Sequence, residues 1–217
     1  MPWMVSETAK RDPARTRAAL LQAATRDFAR NGFSGARTER IAAAAKCNIR
    51  LLYHHFGSKE GLYRAAIEAA YADLRHREAE LAFDLADPLG CIDRLLRFTF
   101  AYFENNPDFE GLLRAENQLQ GRFIRQSPQI QGEGAGLRAR LEAVLAAGAA
   151  QGVIRAGVDP LQLYVTIAAL SRFHLANAWS LAIGLDQDFT SPAWRAERLD
   201  HCAAMLRGWL TPSGGGA

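Results

Sequence analysis

Residues 48–56 read NIRLLYHHF, and their spacing predicts a short helix with two unlike faces. A helix turns by about 100° per residue, which places four residues on one apolar side: Ile49, Leu52, Tyr53 and Phe56. The opposite side receives Arg50, Leu51, His54 and His55. Asn48 is a suitable N-cap for this helix. The apolar side is expected to face a core, and the other side offers a guanidinium and two imidazoles to a partner.

A second short helix is predicted just before this one. Thr38 is predicted as its N-cap, and Ile41 and Ala45 belong to its apolar stripe. Lys46-Cys47 then interrupts the period as a tight turn. Residues 1–64 carry twelve Lys and Arg against five Asp and Glu, whereas the whole chain carries 26 against 23. Two short helices across a tight turn in a basic segment predict a helix-turn-helix, whose second helix enters the major groove of DNA.

The paired histidines indicate neither a metal site nor a catalytic base. Adjacent helical residues point about 100° apart, so His54 and His55 cannot easily share one ion. A general base needs an orienting partner and a pocket that excludes water, and the solvent face of a short helix provides neither. The three cysteines (Cys47, Cys91 and Cys202) are far apart, and no G-x-S-x-G, H-E-x-x-H or Walker pattern occurs. We therefore predict no catalytic residue, no metal and no cofactor.

The rest of the chain predicts helices and shows no strand alternation, so the predicted fold is all-α. Aspartate, asparagine or serine followed by proline recurs as a helix start, at Asp87-Pro88, Asn106-Pro107, Asp159-Pro160 and Ser191-Pro192. The predicted helices cover 88–105, 107–120, 137–151, 160–185 and 192–210. With those of the N-terminal part, they bring the total to about nine.

Four segments are predicted along the chain. They are a flexible basic arm at 1–12, a three-helix helix-turn-helix domain at 13–60, a larger helical domain at 61–211 and a disordered tail at 212–217. No run of about 18 apolar residues is present to span a membrane, and the N-terminus lacks the apolar segment of a secretory signal. A cytoplasmic protein without a membrane segment is expected.

Residues 15–63 resemble the DNA-binding region of the tetracycline-repressor (TetR) family of transcriptional regulators. The resemblance lies in F-x-x-x-G-F at 28–33, I-A-x-x-A at 41–45 and L-Y-x-x-F-x-S-K-E-x-L at 52–62. It implies contacts to operator DNA from four positions: Thr38, Arg50, Tyr53 and Lys59. Tyr53 and Lys59 are expected to bind phosphate, and Arg50 is the best candidate for base reading because a guanidinium pairs bidentately with guanine.

Three positions depart from the family pattern. Lys46 stands where the family usually has glycine, Leu51 replaces a threonine or serine, and His55 replaces a common tyrosine. Leu51 offers an apolar contact to a thymine methyl, and Lys46 could add a phosphate contact. The full predicted DNA-binding set is Arg37, Thr38, Lys46, Asn48, Arg50, Leu51, Tyr53, His54, His55 and Lys59.

The resemblance also implies that the larger domain forms a homodimer and binds a small-molecule effector. The predicted dimer residues are Phe173, Asn177, Leu181, Cys202, Leu206 and Trp209, on two apolar helices that could pack as a four-helix interface. Polar residues set in apolar helices are the candidate effector ligands, because buried polar groups need partners. They are Arg114, Glu116, Asn117, Arg172, His174 and Asn177.

Three functions remain open at this point. The first is a ligand-responsive repressor that binds a palindromic operator as a dimer. The second is an α-helical enzyme or small-molecule carrier whose basic N-terminal segment is incidental. The third is a nonspecific architectural DNA-binding protein, which the acidic remainder of the chain disfavours.

Overall fold

The computed structural model describes residues 12–212, in which every regular element is helical, as predicted. The predicted arm at 1–12 and tail at 212–217 lie outside these residues, apart from one residue of each. A 3₁₀ helix covers Ile124–Gln126. The α-helices are α1 Pro13–Gly35, α2 Thr38–Ala44, α3 Ile49–Phe56, α4 Lys59–Ala79, α5 Pro88–Asn105, α6 Pro107–Gln118, α7 Pro128–Ala150, α8 Pro160–Ala176, α9 Ala178–Leu185 and α10 Pro192–Leu210.

The chain divides into two compact units. Among the described residues, unit 1 holds 12–69 together with Gly111–Ser127, and unit 2 holds Ala70–Glu110 and 128–212. Residues 13–60, the predicted DNA-binding domain, therefore fall within unit 1. The sequence periodicity did not indicate that a segment about fifty residues further along would join them.

Unit 1 has an aromatic core that explains why Gly111–Ser127 belongs to it. Tyr63 of α4 is fully buried, and its ring meets Phe28 edge-on at 4.7 Å and Phe123 at 4.8 Å. α6 approaches α1 closely at Gly111, where a Cβ atom would lie 2.6 Å from the carbonyl oxygen of Ala29. Only glycine allows the two helices to pack at this distance.

Most of the predicted helix starts are confirmed by their hydrogen bonds. Oδ1 of Asn48 accepts from the N–H of Arg50 at 2.8 Å at the start of α3. Asp87, Asp159 and Ser191 cap α5, α8 and α10 in the same way. The prediction for Thr38 was wrong: it is the first residue of α2, and Arg37 occupies the N-cap position without a side-chain bond.

Two predicted helix boundaries were also wrong. The helix expected at 160–185 breaks at Asn177, whose backbone leaves the helical region and whose amide nitrogen Nδ2 donates to the carbonyl of Phe173. This break divides one predicted helix into α8 and α9, so residues 12–212 contain ten α-helices. α7 begins at Pro128 rather than at 137, because proline is tolerated in the first turn and its later apolar residues anchor the helix in a core.

Unit 2 is built on α5, which packs against α7, α8 and α10. Its core includes Leu95, Leu141 and Ile167, one from each of three helices, all essentially inaccessible. Cys202 and Leu206 of α10 also lie in this core. These two side chains, expected at a dimer interface, therefore face the interior of their own chain. None of the helices in the described range is long and apolar enough to cross a membrane.

Candidate nucleic-acid interface

The turn between α2 and α3 is closed by backbone hydrogen bonds and one left-handed residue. Lys46 has φ of 53°, and the N–H of Cys47 returns to the carbonyl of Ala42 at 2.9 Å. A side chain in this conformation costs roughly 1 kcal/mol relative to glycine. Lys46 is exposed, so this turn carries a positive charge at the surface.

α3 has the two faces that its sequence predicts. Leu52 is fully buried, and Ile49 and Phe56 are half-buried beside it. Arg50, Leu51 and His54 are exposed on the other side, and His55 is half-buried with its ring 5.4 Å from that of His54. The guanidinium of Arg50 has no ion-pair partner among the described residues, so it is available to a ligand.

Tyr53 departs from the simple apolar face. Its side chain is 44% exposed, and its hydroxyl lies 3.2 Å from Oγ1 of Thr38, which is only 6% exposed. This bond joins the first residue of α2 to the middle of α3. Because either oxygen can donate, the Tyr53 hydroxyl keeps capacity for a second partner.

Two predicted contact residues are already engaged within unit 1. Oδ1 of Asn48 serves as the helix cap, which leaves only its NH₂ group for DNA. The ammonium of Lys59 lies 4.9 Å from the ring centroid of Phe33 and 3.5 Å from the carbonyl oxygen of Ser34. Lys59 is the first residue of α4. Ser58, just before it, caps the helix, because its Oγ accepts from the N–H of Gly61. A phosphate at Lys59 would compete with these two weak contacts.

Two arginines outside the set named from the sequence contribute to this surface of unit 1. Arg17 of α1 is exposed, and its guanidinium carbon Cζ lies 5.2 Å from the ring centroid of Phe56 at the end of α3. Arg40 donates to both carboxylate oxygens of Asp27, which also accepts from the backbone N–H of Arg37. Asp27 thereby fixes the start of α2 on α1. The side chain of Arg37 remains exposed.

The six residues proposed as effector ligands are divided between the two units. Three belong to unit 1: Arg114 and Asn117 are exposed, while Oε1 of Glu116 accepts from the N–H groups of Phe123 and Ile124. Three belong to unit 2, where Arg172 donates to both oxygens of Glu110 and Asn177 ends α8. The sequence could not show the Glu110 partner, 62 positions away.

His174 differs from the other five because it is buried among aromatic rings and pairs with no polar or charged side chain. It is 2% exposed, its ring stacks on Phe100 at 4.8 Å, and Trp194 lies 5.6 Å away. Neither ring nitrogen forms a hydrogen bond of ordinary geometry. Burial, followed by the charges of Arg198 and Arg195, lowers the pKa of His174 from its ordinary 6.5 to about 4, against a small opposing effect of the Leu170 carbonyl. The imidazole is therefore neutral near pH 7.

The outer faces of α8, α9 and α10 expose large apolar side chains. Phe173 is 57% exposed and Trp209 is 41% exposed, whereas Leu181 is half-buried. Leu161, Val165, Trp179, Ile183 and Met205 are exposed as well. Across residues 12–212, no cluster of three or more His, Cys, Asp or Glu residues is placed to hold a metal ion.

Both parts of the chain match models of a known family. Residues 20–66 match the model described as "Bacterial regulatory proteins, tetR family", and residues 88–206 match "Tetracyclin repressor-like, C-terminal domain". The second match alone spans more than half of the chain.

Comparison with individual proteins also finds transcriptional regulators. The HTH-type transcriptional repressor NicS of Pseudomonas putida is 35% identical over 198 residues, which are 89% of this chain and 92% of that protein. The crystal structure of SCO4942 from Streptomyces coelicolor aligns with a TM-score of 0.65 at 27% identity, over 88% of this chain and 97% of the other. The regulator FadR of Bacillus subtilis, solved in complex with stearoyl-CoA, aligns at 0.61 over 89% and 98%, with 18% identity.

Proposed function

This chain belongs to the TetR family of bacterial regulatory proteins, and from that premise we propose that it is a repressor that binds a near-palindromic operator as a homodimer. In this proposal a small molecule bound in unit 2 lowers the affinity of the dimer for DNA. The names of two relatives, the repressors NicS and SCO4008, support repression rather than activation.

The observation that carries the proposal is the structure of α3. Leu52 anchors the helix in the core of unit 1, while Arg50, Leu51 and His54 project from the opposite side. A helix held this way after a tight turn has the arrangement of a recognition helix in the major groove. Arg50 is proposed to read a guanine, and Lys46, Tyr53 and Arg37 are proposed to position the helix on phosphates.

A second copy of the chain is proposed to pair through the exposed apolar faces of α8 and α10. Phe173, Trp209 and Met205 would lose their exposure to water there, which stabilises an association at about 25 cal/mol for each Å² of apolar surface buried. Two helices from each copy would then form the interface. Two copies are also what a palindromic operator requires, with recognition helices about 34 Å apart.

A small-molecule effector is proposed from both the fold and the burial of His174. FadR, which has a similar fold, was solved in complex with stearoyl-CoA, and His174 is a buried polar group without a hydrogen bond of ordinary geometry to the protein. We propose a regulator in the cytoplasm, where its operator lies, and no catalytic activity. The absence of a catalytic motif in the sequence disfavours an enzyme.

Selection of bound sites from random duplex DNA with the full-length chain tests the proposal. The expected result is a motif with dyad symmetry whose half-sites are one helical turn, or a multiple of it, apart. Enrichment without symmetry would contradict the dimer. No enrichment at all would contradict sequence-specific binding and favour the small-molecule carrier.

A further inference from the structure

Six buried polar atoms without hydrogen-bond partners lie on three helices of unit 2. They belong to five residues: Glu104 of α5, Ser171 and His174 of α8, and Arg195 and Arg198 of α10. Ser171 is fully inaccessible and His174 nearly so. Because a buried donor or acceptor is costly to leave unpaired, such atoms are normally satisfied. Six unpaired atoms on these three helices indicate a binding site for a polar ligand.

Contacts within unit 2 bring His174, Arg195, Arg198 and Glu104 together, and Ser171 lies three residues before His174, on the same side of α8. The ring of His174 lies between Phe100 of α5 at 4.8 Å and Trp194 of α10 at 5.6 Å. The charges of Arg195 and Arg198 act on the same imidazole. Nε of Arg195 lies 3.8 Å from Oε1 of Glu104, which is an ion pair but too long for a hydrogen bond.

The charges of this cluster leave one positive charge without a counterpart. Glu104 balances Arg195, but Arg198 forms no ion pair with any of the residues that the structure describes. His174 is neutral and can donate from one nitrogen only. Of the six unpaired atoms, four can donate, namely Nε of Arg195, Nε of Arg198, Oγ of Ser171 and one nitrogen of His174, whereas Oε1 of Glu104 and the other His174 nitrogen only accept. A ligand that complements them carries a negative charge and oxygen acceptors.

Aromatic rings pack around the imidazole of His174. Phe100 and Trp194 flank the imidazole, and Phe189, from the loop between α9 and α10, is buried edge-on against Trp194 at 4.6 Å. Phe100 is only 1% exposed and stacks on the imidazole, so these rings hold His174 in place.

We propose that Ser171, His174, Arg195 and Arg198 bind the carboxylate of a small organic acid. The ligand completes the ion pairing of Arg198 and accepts from the Ser171 hydroxyl. This inference rests on the proposed function, because it names the chemical class of the effector of that regulator. The proposed site includes His174 but not Arg172, because the guanidinium of Arg172 is already paired with Glu110.

Calorimetric titration of the full-length protein with matched acids and amides tests this site. The probes are benzoate, phenylacetate and cyclohexanecarboxylate, each compared with its carboxamide at pH 7 and one salt concentration. At least one carboxylate is expected to bind and to raise the melting temperature, and its carboxamide is expected to do neither. Equal behaviour of all three pairs would overturn the proposal.

Variants locate the binding. Arg198→Gln and Ser171→Ala are each expected to weaken carboxylate binding roughly 10- to 100-fold, the usual range for loss of a hydrogen bond to a charged group. Arg207→Gln is the matched control, since Arg207 lies exposed on the same helix. Carboxylate affinity that is the same in Arg198→Gln and Arg207→Gln would place the acid elsewhere and overturn the proposal.

DNA binding measured on the same preparations separates the two proposals. A protein that enriches operator DNA but binds no carboxylate would overturn the acid site and leave the regulator intact. A protein that binds carboxylate but enriches no DNA would support the site and contradict the proposed function. Retention of operator binding by Ser171→Ala and Arg198→Gln shows that these variants fold.

Discussion

The hydroxyl of Tyr53 lies 3.2 Å from Oγ1 of Thr38, so one hydrogen bond joins the start of α2 to the middle of α3. Thr38 is almost inaccessible, whereas nearly half of Tyr53 faces water. The bond therefore helps to hold α3 against α2, while the exposed part of the tyrosine remains accessible to a ligand. This pairing explains how Tyr53 can be exposed although it lies on the side of α3 that the sequence predicts to be apolar.

Tyr53→Phe is expected to lower the free energy of unfolding by about 1 kcal/mol, the usual net value of a single hydrogen bond. Urea denaturation of the wild type, Tyr53→Phe, Thr38→Val and the double variant measures it. In the Thr38→Val background the same change should cost much less, because the partner is already absent. Additive losses in the cycle would show that the two hydroxyls are not coupled.

Arg50→Ala is expected to relax sequence specificity more than it lowers general affinity. A bidentate arginine contact to guanine discriminates by about 1–3 kcal/mol, and this discrimination is lost with the guanidinium. Fluorescence anisotropy with the selected operator and a random duplex measures both affinities. Operator and random affinities that fall by equal factors would assign Arg50 to phosphate.

Lys59→Ala is expected to weaken binding to the operator and to the random duplex alike. The slope of the logarithm of DNA affinity against the logarithm of salt concentration should become shallower by about one. The loss should be modest, since the ammonium must give up its contacts with Phe33 and Ser34 to reach DNA. Arg138→Ala on α7 is the control, because it removes an exposed charge from unit 2. An unchanged salt slope in Lys59→Ala would remove this lysine from the interface.

Local sequence features predicted the parts of this structure that depend on neighbours along the chain. The caps at Asn48 and Asp159 and the burial of Leu52 follow from signals within a few residues. Pairings between distant segments left no such signal. Arg172 meets Glu110 across 62 positions, so a residue proposed for a ligand proved to have a protein partner.

Periodicity also could not tell which apolar face of a helix serves its own core. Cys202 and Phe173 both follow helical spacing in apolar helices, yet one is inaccessible and the other is mostly exposed. The difference depends on how α10 and α8 pack against α5, which is a property of the tertiary structure. The carboxylate site was likewise visible only in part, since Arg195, Arg198 and Ser171 were not among the residues selected from the sequence.

Lys46→Gly is expected to stabilise the protein and to weaken its binding to DNA. Glycine adopts the positive φ of the turn without a Cβ penalty, a gain of roughly 1 kcal/mol. The same change removes a positive charge from the turn before α3. Thermal unfolding and anisotropy measure the two effects, and opposite signs are expected.

Lys46→Asn separates conformation from charge, because asparagine tolerates this backbone better than most residues but is neutral. It is expected to match Lys46→Gly in DNA affinity and to lie between glycine and lysine in stability. DNA binding that stays at the wild-type level in both variants would show that Lys46 makes no phosphate contact.

Phe173→Glu is expected to convert the dimer to a monomer at micromolar concentration. The change places a charge on the exposed face of α8 that is proposed to pair with a second copy, where an unpaired buried charge is strongly unfavourable. Sedimentation velocity measures the mass. Leu85→Glu is the control, since Leu85 is a comparably exposed apolar residue outside α8, α9 and α10. A wild type that sediments as a monomer, or a Phe173→Glu variant that remains a dimer, would exclude this face.

The stability of the protein is expected to fall between pH 6.5 and pH 4 because of His174. Its pKa in the folded state is about 4, against about 6.5 when exposed, owing to burial and then to Arg198 and Arg195. Above pH 6.5 the imidazole is neutral in both states and contributes nothing to the pH dependence. As the pH falls below 6.5, the unfolded chain takes up the proton first, so unfolding is favoured until the folded state also protonates near pH 4. The free energy of unfolding should fall by up to about 3 kcal/mol over this range of pH.

Urea denaturation at pH 7 and pH 5 measures this effect. His174→Phe preserves the stack on Phe100 and removes the titrating group, so its stability should fall less between the two pH values than that of the wild type. His201→Asn, which removes an exposed histidine from α10, should retain the full decrease. Equal decreases in the wild type and His174→Phe would show that the imidazole is not held neutral by its surroundings. A carboxylate bound at Arg198 should also reduce the decrease, because its negative charge favours the protonated imidazole and raises the pKa of His174.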